Sequence, residues 1–186
     1  MKLMLVLCLA LVSAAHAGSN DWNGTSAITF NGTSTLHDWS GKVSAEPFVA
    51  NVTMKDDKPA ALKAKVEVKA ANMDTAEPDR DVKMRKSMKV TDFPLITGVM
   101  EATFDKINGP DGKPATLPMK LTLLGKTQDV SARISQWSRK GDVASFDLDF
   151  DLSLKKSGIE VPSVLLIVRV GDTIKVHATV KLARAP

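Results

Sequence analysis

Phe146-Asp147-Leu148-Asp149-Phe150-Asp151-Leu152 decides the fold. Apolar and acidic residues alternate through it without a break. A period of two puts the apolar side chains on one face of an extended strand and the carboxylates on the other. Ile174-Lys175-Val176-His177-Ala178-Thr179-Val180-Lys181-Leu182 repeats the pattern with basic and polar partners. Strands dry on one face and wet on the other belong to antiparallel sheets.

The same alternation recurs on the N-terminal side. Ala27-Ile28-Thr29-Phe30 opens the series, and Asn31-Gly32 has the composition of a turn. Trp39, Gly41, Val43 and Ala45 then alternate with polar residues, followed by Phe48, Ala50, Val52 and Met54, and by Ala64, Val66, Val68 and Ala70. Met100, Ala102 and Phe104 start a meander of hairpins that continues through Met119, Leu121 and Leu123, then Val130, Ala132 and Ile134, into the Phe146 strand. About eight strands at this spacing predict a sandwich or a barrel. The barrel is favoured, because closure removes the exposed edges that a sheet without disulfides would carry. The predicted fold is all-β: an antiparallel barrel of about eight strands with one or two short helices.

Two segments break the period. Residues 79–89 predict a helix: Pro78 suits its first turn, Asp79 and Asp81 its positive end, and Arg85, Lys86 and Lys89 its negative end. Residues 162–168 form an apolar run whose periodicity does not separate helix from strand. A short helix lidding one barrel end is the expectation there.

The chain opens with Lys2, an apolar run over 3–12 and the small-x-small sequence Ala15-His16-Ala17, which predicts a signal peptide cut after Ala17. Residues 18–186 then make a single domain, periplasmic or secreted, with no integral membrane segment after cleavage. Cys8, the one cysteine, lies in the removed part, so the core alone must stabilise the fold. The net charge is +4, with acids and bases interspersed, and there is no Tyr and only three Trp. That is a solvated surface, not a nucleic-acid footprint.

No catalytic constellation is legible. There is no cysteine nucleophile, nucleophile elbow, zinc-binding helix or glycine-rich phosphate loop after residue 17. His177 reads as a surface residue. His37-Asp38 could supply a base or a metal ligand, but no nucleophile or second ligand stands at a recognisable spacing. Asp147, Asp149 and Asp151 share a face, yet successive carboxylates are about 7 Å apart on a strand, too spread for one ion. Hence no enzyme, cofactor or metal is expected. The cluster Lys83, Arg85, Lys86 and Lys89 serves the helix dipole and solubility, or holds an anionic headgroup; Arg80 and Arg85 are the better headgroup candidates.

Several strings, in order along the chain, resemble the YceI-like lipid/polyisoprenoid-binding family. They are Ser34-Thr35-Leu36-His37-Asp38-Trp39-Ser40-Gly41-Lys42-Val43, Met73-Asp74-Thr75, Arg80-Asp81, Met84-Arg85, Phe93-Pro94, Leu121-Thr122-Leu123-Leu124-Gly125-Lys126-Thr127 and Leu154-Lys155-Lys156-Ser157-Gly158-Ile159. The resemblance implies a lipocalin-like barrel, export, and an apolar tunnel that in some members holds an isoprenoid chain. It does not imply catalysis.

The expected function is therefore a non-enzymatic carrier of an apolar, isoprenoid-type molecule. Its predicted lining is Phe30, Phe48, Val66, Val68, Met100, Phe104, Leu121, Leu123, Phe146, Leu148 and Phe150, with Leu165 and Leu166 at one end. Small Ala64 and flexible Met100 and Met119 leave or adapt volume. The alternative is an exported stress or envelope protein acting through its surface; an enzyme centred on His37 and Asp38 ranks last. Partners reduce to an apolar small molecule and, at most, a second copy of the chain. Composition does not separate a hollow barrel from one filled by its own side chains.

Overall fold

Alternating side chains close into a continuous wall. The computed structural model describes residues 19–160, 163–164 and 168–186. In chain order the strands are β1 (Ser19–Gly32), β2 (Trp39–Ser44), β3 (Phe48–Lys55), β4 (Lys58–Lys69), β5 (Leu95–Thr103), β6 (Thr116–Leu123), β7 (Lys126–Lys140), β8 (Val143–Ser153), β9 (Ser163–Val164), β10 (Val168–Arg169) and β11 (Thr173–Arg184). The helices are α1 (Pro78–Ser87) and the one-turn α2 (Phe104–Ile107). All strand pairs are antiparallel, and β11 pairs with both β8 and β1, which closes the barrel.

β2 and β3 both lie beside β1, one after the other. β2 pairs with the half of β1 from Ala27 to Gly32, and β3 with the half from Ser19 to Gly24. Together they occupy one position, so the wall is eight strands round. Between the two pairings, β1 contributes Thr25 and Ser26 while the other chain contributes Ala45, Glu46 and Pro47. One extra residue makes a bulge and reverses which residues face inward. Gly41 and Val43 face in before it; Phe48 and Ala50 face in after it. Asn31-Gly32 remains paired within β1, and the chain turns only after it.

The β8 acids meet the partners their spacing calls for. Asp151 lies opposite Lys175, Asp149 opposite His177 and Asp147 opposite Thr179. His177 Nδ1 lies 2.8 Å from Asp149 Oδ1, Thr179 Oγ1 donates to Asp147 at 2.8 Å, and Arg133 donates to Asp149 Oδ2 at 3.0 Å. The other face of the same pair, Leu148 with Ala178 and Phe150 with Val176, points into the barrel.

At one end of the barrel lie the 33–38 loop, the 70–94 segment with α1, the 154–160 loop and residues 170–172; we call this the mouth. The opposite end carries α2, packed on β4, β5 and β6, and the buried Trp22, with the Arg139 guanidinium 5.1 Å from its ring centroid. Three expectations are corrected. The helix runs over 78–87 instead of 79–89, because Met88 caps it and Lys89 takes positive φ. In the 162–168 run, the described parts are extended: Val164 pairs with Val168 and Ser163 with Arg169. Val164 and Val168 are β-branched, which favours extended backbone at the described positions. Phe104 leaves the sheet to begin α2, so the period of two no longer sets where its side chain points.

The Asp149 carboxyl is held below its ordinary value chiefly by its hydrogen bond to His177, against the opposing effect of partial burial. A carboxyl depressed in the folded state contributes stability above the ordinary value of about 3.9 and loses it as pH falls through the folded value. Asp149→Asn should therefore cost about 0.5–1 kcal/mol at neutral pH, as expected for a partly exposed pair. Urea unfolding of both proteins should show that difference shrinking as the solution is acidified below about pH 4.

Candidate functional site

The barrel is hollow. Its interior is a cavity of about 590 Å³, bordered by inward-facing residues of β1 to β6, β8 and β11 and by α1. Phe30, Phe48, Val66, Val68, Met100, Leu121, Leu123, Phe146, Leu148 and Phe150 all border it. Phe104 does not, since it sits on α2 outside the lumen. Leu165 and Leu166 lie outside the described residues.

Register explains why large rings do not fill the space. On the wall formed by β1 with β2 and β3, three aromatic residues lie opposite glycines: Trp39 opposite Gly32, Phe30 opposite Gly41, and Phe48 opposite Gly24. A Cβ at any of these glycines would overlap the facing ring. Each ring thus lies flat along the wall in the space a side chain would take. Phe30 and Trp39 also meet edge to face, centroids 6.2 Å apart.

Polar groups gather at the mouth. Ser34, His37, Glu77, Asp79, Arg80, Lys83 and Ser87 border the cavity there, and Ser26 is the other hydroxyl in its lining. α1 lies across this end with Met84 and Met88 turned to the cavity. Apolar contact is only part of what holds it. The buried Asp81 carboxylate accepts from the Thr75 hydroxyl at 2.7 Å and from the Thr75 N–H at 3.0 Å. The hydroxyl bond, acting against burial, keeps that carboxyl below its ordinary value. Arg85 donates to the Ala71 carbonyl at 3.0 Å and the Met73 carbonyl at 3.3 Å, with Asp81 3.9 Å away. Arg85 is therefore tied to the backbone of the 70–77 segment and does not border the cavity, whereas Arg80 does. Helical spacing could not have shown this, because the carbonyl partners of Arg85 lie in the irregular 70–77 segment.

His37 stands at the mouth, and Asp38 is exposed and outside the lining. The Ser34 hydroxyl donates to the His37 carbonyl at 2.7 Å and accepts from its N–H at 3.2 Å, so this serine is engaged with backbone, not with the imidazole. Among the described residues, no three His, Cys, Asp or Glu side chains are grouped to hold a metal ion. The 154–159 loop supplies Leu154 and Ile159 to the cavity; sequence reading had not placed either. It is fixed by the fully buried Ser157, which accepts from Gln128 at 2.7 Å and donates to the Ser153 carbonyl at 2.9 Å.

Comparison with known families gives one match, to the YceI-like domain, over residues 22–182. The chain belongs to the YceI-like family. Solved structures with the same fold include Burkholderia cenocepacia BcnA, 17% identical with TM-score 0.67, covering 84% of this chain and 95% of that one. A polyisoprenoid binding domain from Saccharophagus degradans, implicated in plant cell wall breakdown, is 11% identical with TM-score 0.60, covering 92% of this chain and 100% of that one. Campylobacter jejuni YceI protein is 20% identical with TM-score 0.52, covering 67% and 72%. No curated protein matches the chain. Among the described residues, no helix is long and apolar enough to cross a membrane.

The two arginines of α1 should separate experimentally. Arg85→Ala leaves two carbonyls without their donor and is expected to cost about 1–2 kcal/mol in urea unfolding. Arg80→Ala, at the cavity mouth, should fall within about 0.5 kcal/mol of wild type.

Proposed function

We propose that this YceI-like protein is an exported, non-enzymatic carrier that holds an apolar, isoprenoid-type molecule in its barrel. The observation that carries the reading is the lumen itself: about 590 Å³ of space, apolar along its length and polar at one end. That volume lies within the usual range for small-molecule sites. Such a shape suits a long hydrocarbon with one polar terminus. Burial contributes about 0.8 kcal/mol per methylene, so a tail of about a dozen carbons outweighs the lower estimates of the association cost. The Saccharophagus relative, named for polyisoprenoid binding, supports the same class of ligand.

In this reading the lining residues contact the chain, and Arg80 meets the polar end together with Lys83, Glu77 and Asp79. Two acids and two bases at the mouth balance one another, so the site does not depend on a strongly charged headgroup. Export rests on the leader read at residues 1–17.

Native mass spectrometry of protein purified without detergent, followed by solvent extraction, tests the proposal. Wild type should carry an apolar mass. Leu148→Arg, which sets a charge in the middle of the lumen, and Ala64→Phe, which fills it, should both lose that mass while unfolding cooperatively. Protein free of bound lipid that instead retains a partner protein would favour the surface-acting alternative. Retention of the mass by both variants would place the ligand elsewhere.

A further inference from the structure

Four polar residues are buried among the described residues: Ser26, Thr75, Asp81 and Ser157. Three of them are bonded through their side chains. The Thr75 hydroxyl donates to Asp81, and the Ser157 hydroxyl lies between Gln128 and the Ser153 carbonyl. Ser26 is the exception. It is 7% exposed, and its hydroxyl makes no hydrogen bond to any described residue. Buried polar groups are bonded with few exceptions, so one without a partner calls for a reason. Asn108 Oδ1, which also lacks a partner, is sealed from all open space. Ser26 instead borders the lumen.

The bulge explains why that hydroxyl stays uncovered. On one side Ser26 pairs with Val180 of β11, which lies opposite Phe146 of β8. Neither side chain can accept or donate a hydrogen bond. On the other side Ser26 faces the bulge. There its carbonyl accepts from the Ala45 N–H at 2.9 Å, and neither Ala45, Glu46 nor Pro47 borders the cavity. The remaining polar residues of the lining, Ser34, His37, Glu77, Asp79, Arg80, Lys83 and Ser87, stand at the mouth. Ser26 is six residues down β1 from Gly32. At about 3.4 Å per residue and a strand tilt of about 40°, it lies about 15 Å below the mouth.

We propose that Ser26 is a second polar contact for the bound molecule, and that this molecule carries a neutral oxygen, as a hydroxyl, carbonyl or ether, about a dozen chain carbons from its end at the mouth. This rests on the carrier reading above and narrows its ligand from a plain hydrocarbon tail to an oxygenated one. A serine hydroxyl both donates and accepts, so it suits each of these groups. An anionic oxygen does not fit. Arg80 and Lys83, the cations of the lining, are both at the mouth, and an unpaired charge among apolar side chains is strongly disfavoured. Held on a paired strand, the hydroxyl also fixes how deep the chain sits.

The test is displacement of bound cis-parinaric acid, calibrated for each protein, by dodecane and by the α,ω-diol of dodecane. The two share one chain, and the diol sets its oxygens about as far apart as the mouth and Ser26. Ser26→Ala is expected to weaken the diol by about threefold to tenfold, as for the loss of one neutral hydrogen bond, and to leave dodecane within about twofold. Ser26→Thr, which keeps the hydroxyl, should bind the diol like wild type. Ser26→Val, its isostere without the hydroxyl, should behave like Ser26→Ala. Urea unfolding of the unliganded Ser26→Ala protein should match wild type, because the hydroxyl has no protein partner to lose. Diol affinity unchanged in Ser26→Ala, or diol and dodecane weakened equally, would overturn the proposal while parinaric acid binding left the carrier reading intact. Failure of wild type to bind parinaric acid, dodecane or the diol would remove the carrier reading and this inference with it.

Discussion

A barrel of eight strands stays hollow only if its bulkiest side chains keep out of the middle. Interiors otherwise close to the density of organic crystals, and eight strands enclose just enough room for side chains to meet across the axis. On the β1 wall this is done by setting the rings of Phe30, Trp39 and Phe48 each opposite a glycine on the neighbouring strand, while Phe146 and Phe150 on β8 line the lumen opposite valines. A ring set over a glycine keeps its buried area and lies tangentially instead of radially. The rest of the site follows. The lumen is bounded by aliphatic, Met and Phe side chains, and its apolar length is continuous from the α1 end to the level of Gly24.

The mouth is built on a different principle. α1 is a polar helix, and its attachment to the 70–77 segment relies on the Thr75–Asp81 bonds and on Arg85 spanning two carbonyls, with Met84 and Met88 as its apolar contacts. Elements with few buried apolar contacts and many exposed polar bonds open at lower free energy than strand cores. The strands form the rigid part of the container and the helix its more easily released part. The thioether side chains at this end also adapt to irregular surfaces.

The architecture was legible because antiparallel strands with one wet face write a period of two into the chain. Phe146, Leu148 and Phe150 needed nothing more to be placed inward, and the acids between them nothing more to be placed outward. The period fails wherever the chain leaves the sheet. Phe104 obeys the alternation in sequence but belongs to a helical turn, and Met73, Met88 and Ile159 reach the lumen from segments with no period at all. Arg85 looked like a ligand contact because its chemistry suits phosphate, yet backbone carbonyls distant in sequence take up its donors. Likewise, nothing local marks Gly24, Gly32 or Gly41 as the seat of a ring. That relation exists only once two strands are in register.

The single extra residue at Ala45-Glu46-Pro47 behaves like a reading-frame shift in three dimensions. Upstream of it odd-numbered residues look inward; downstream, even-numbered ones do. Removing one residue there would leave two residues against two, an unbroken alternation in which the Gly41 half and the Phe48 half both still face inward. The extra residue therefore does not decide which way either half faces; it kinks the strand and sends the Glu46 N–H to the Glu67 carbonyl of β4 instead of to β1.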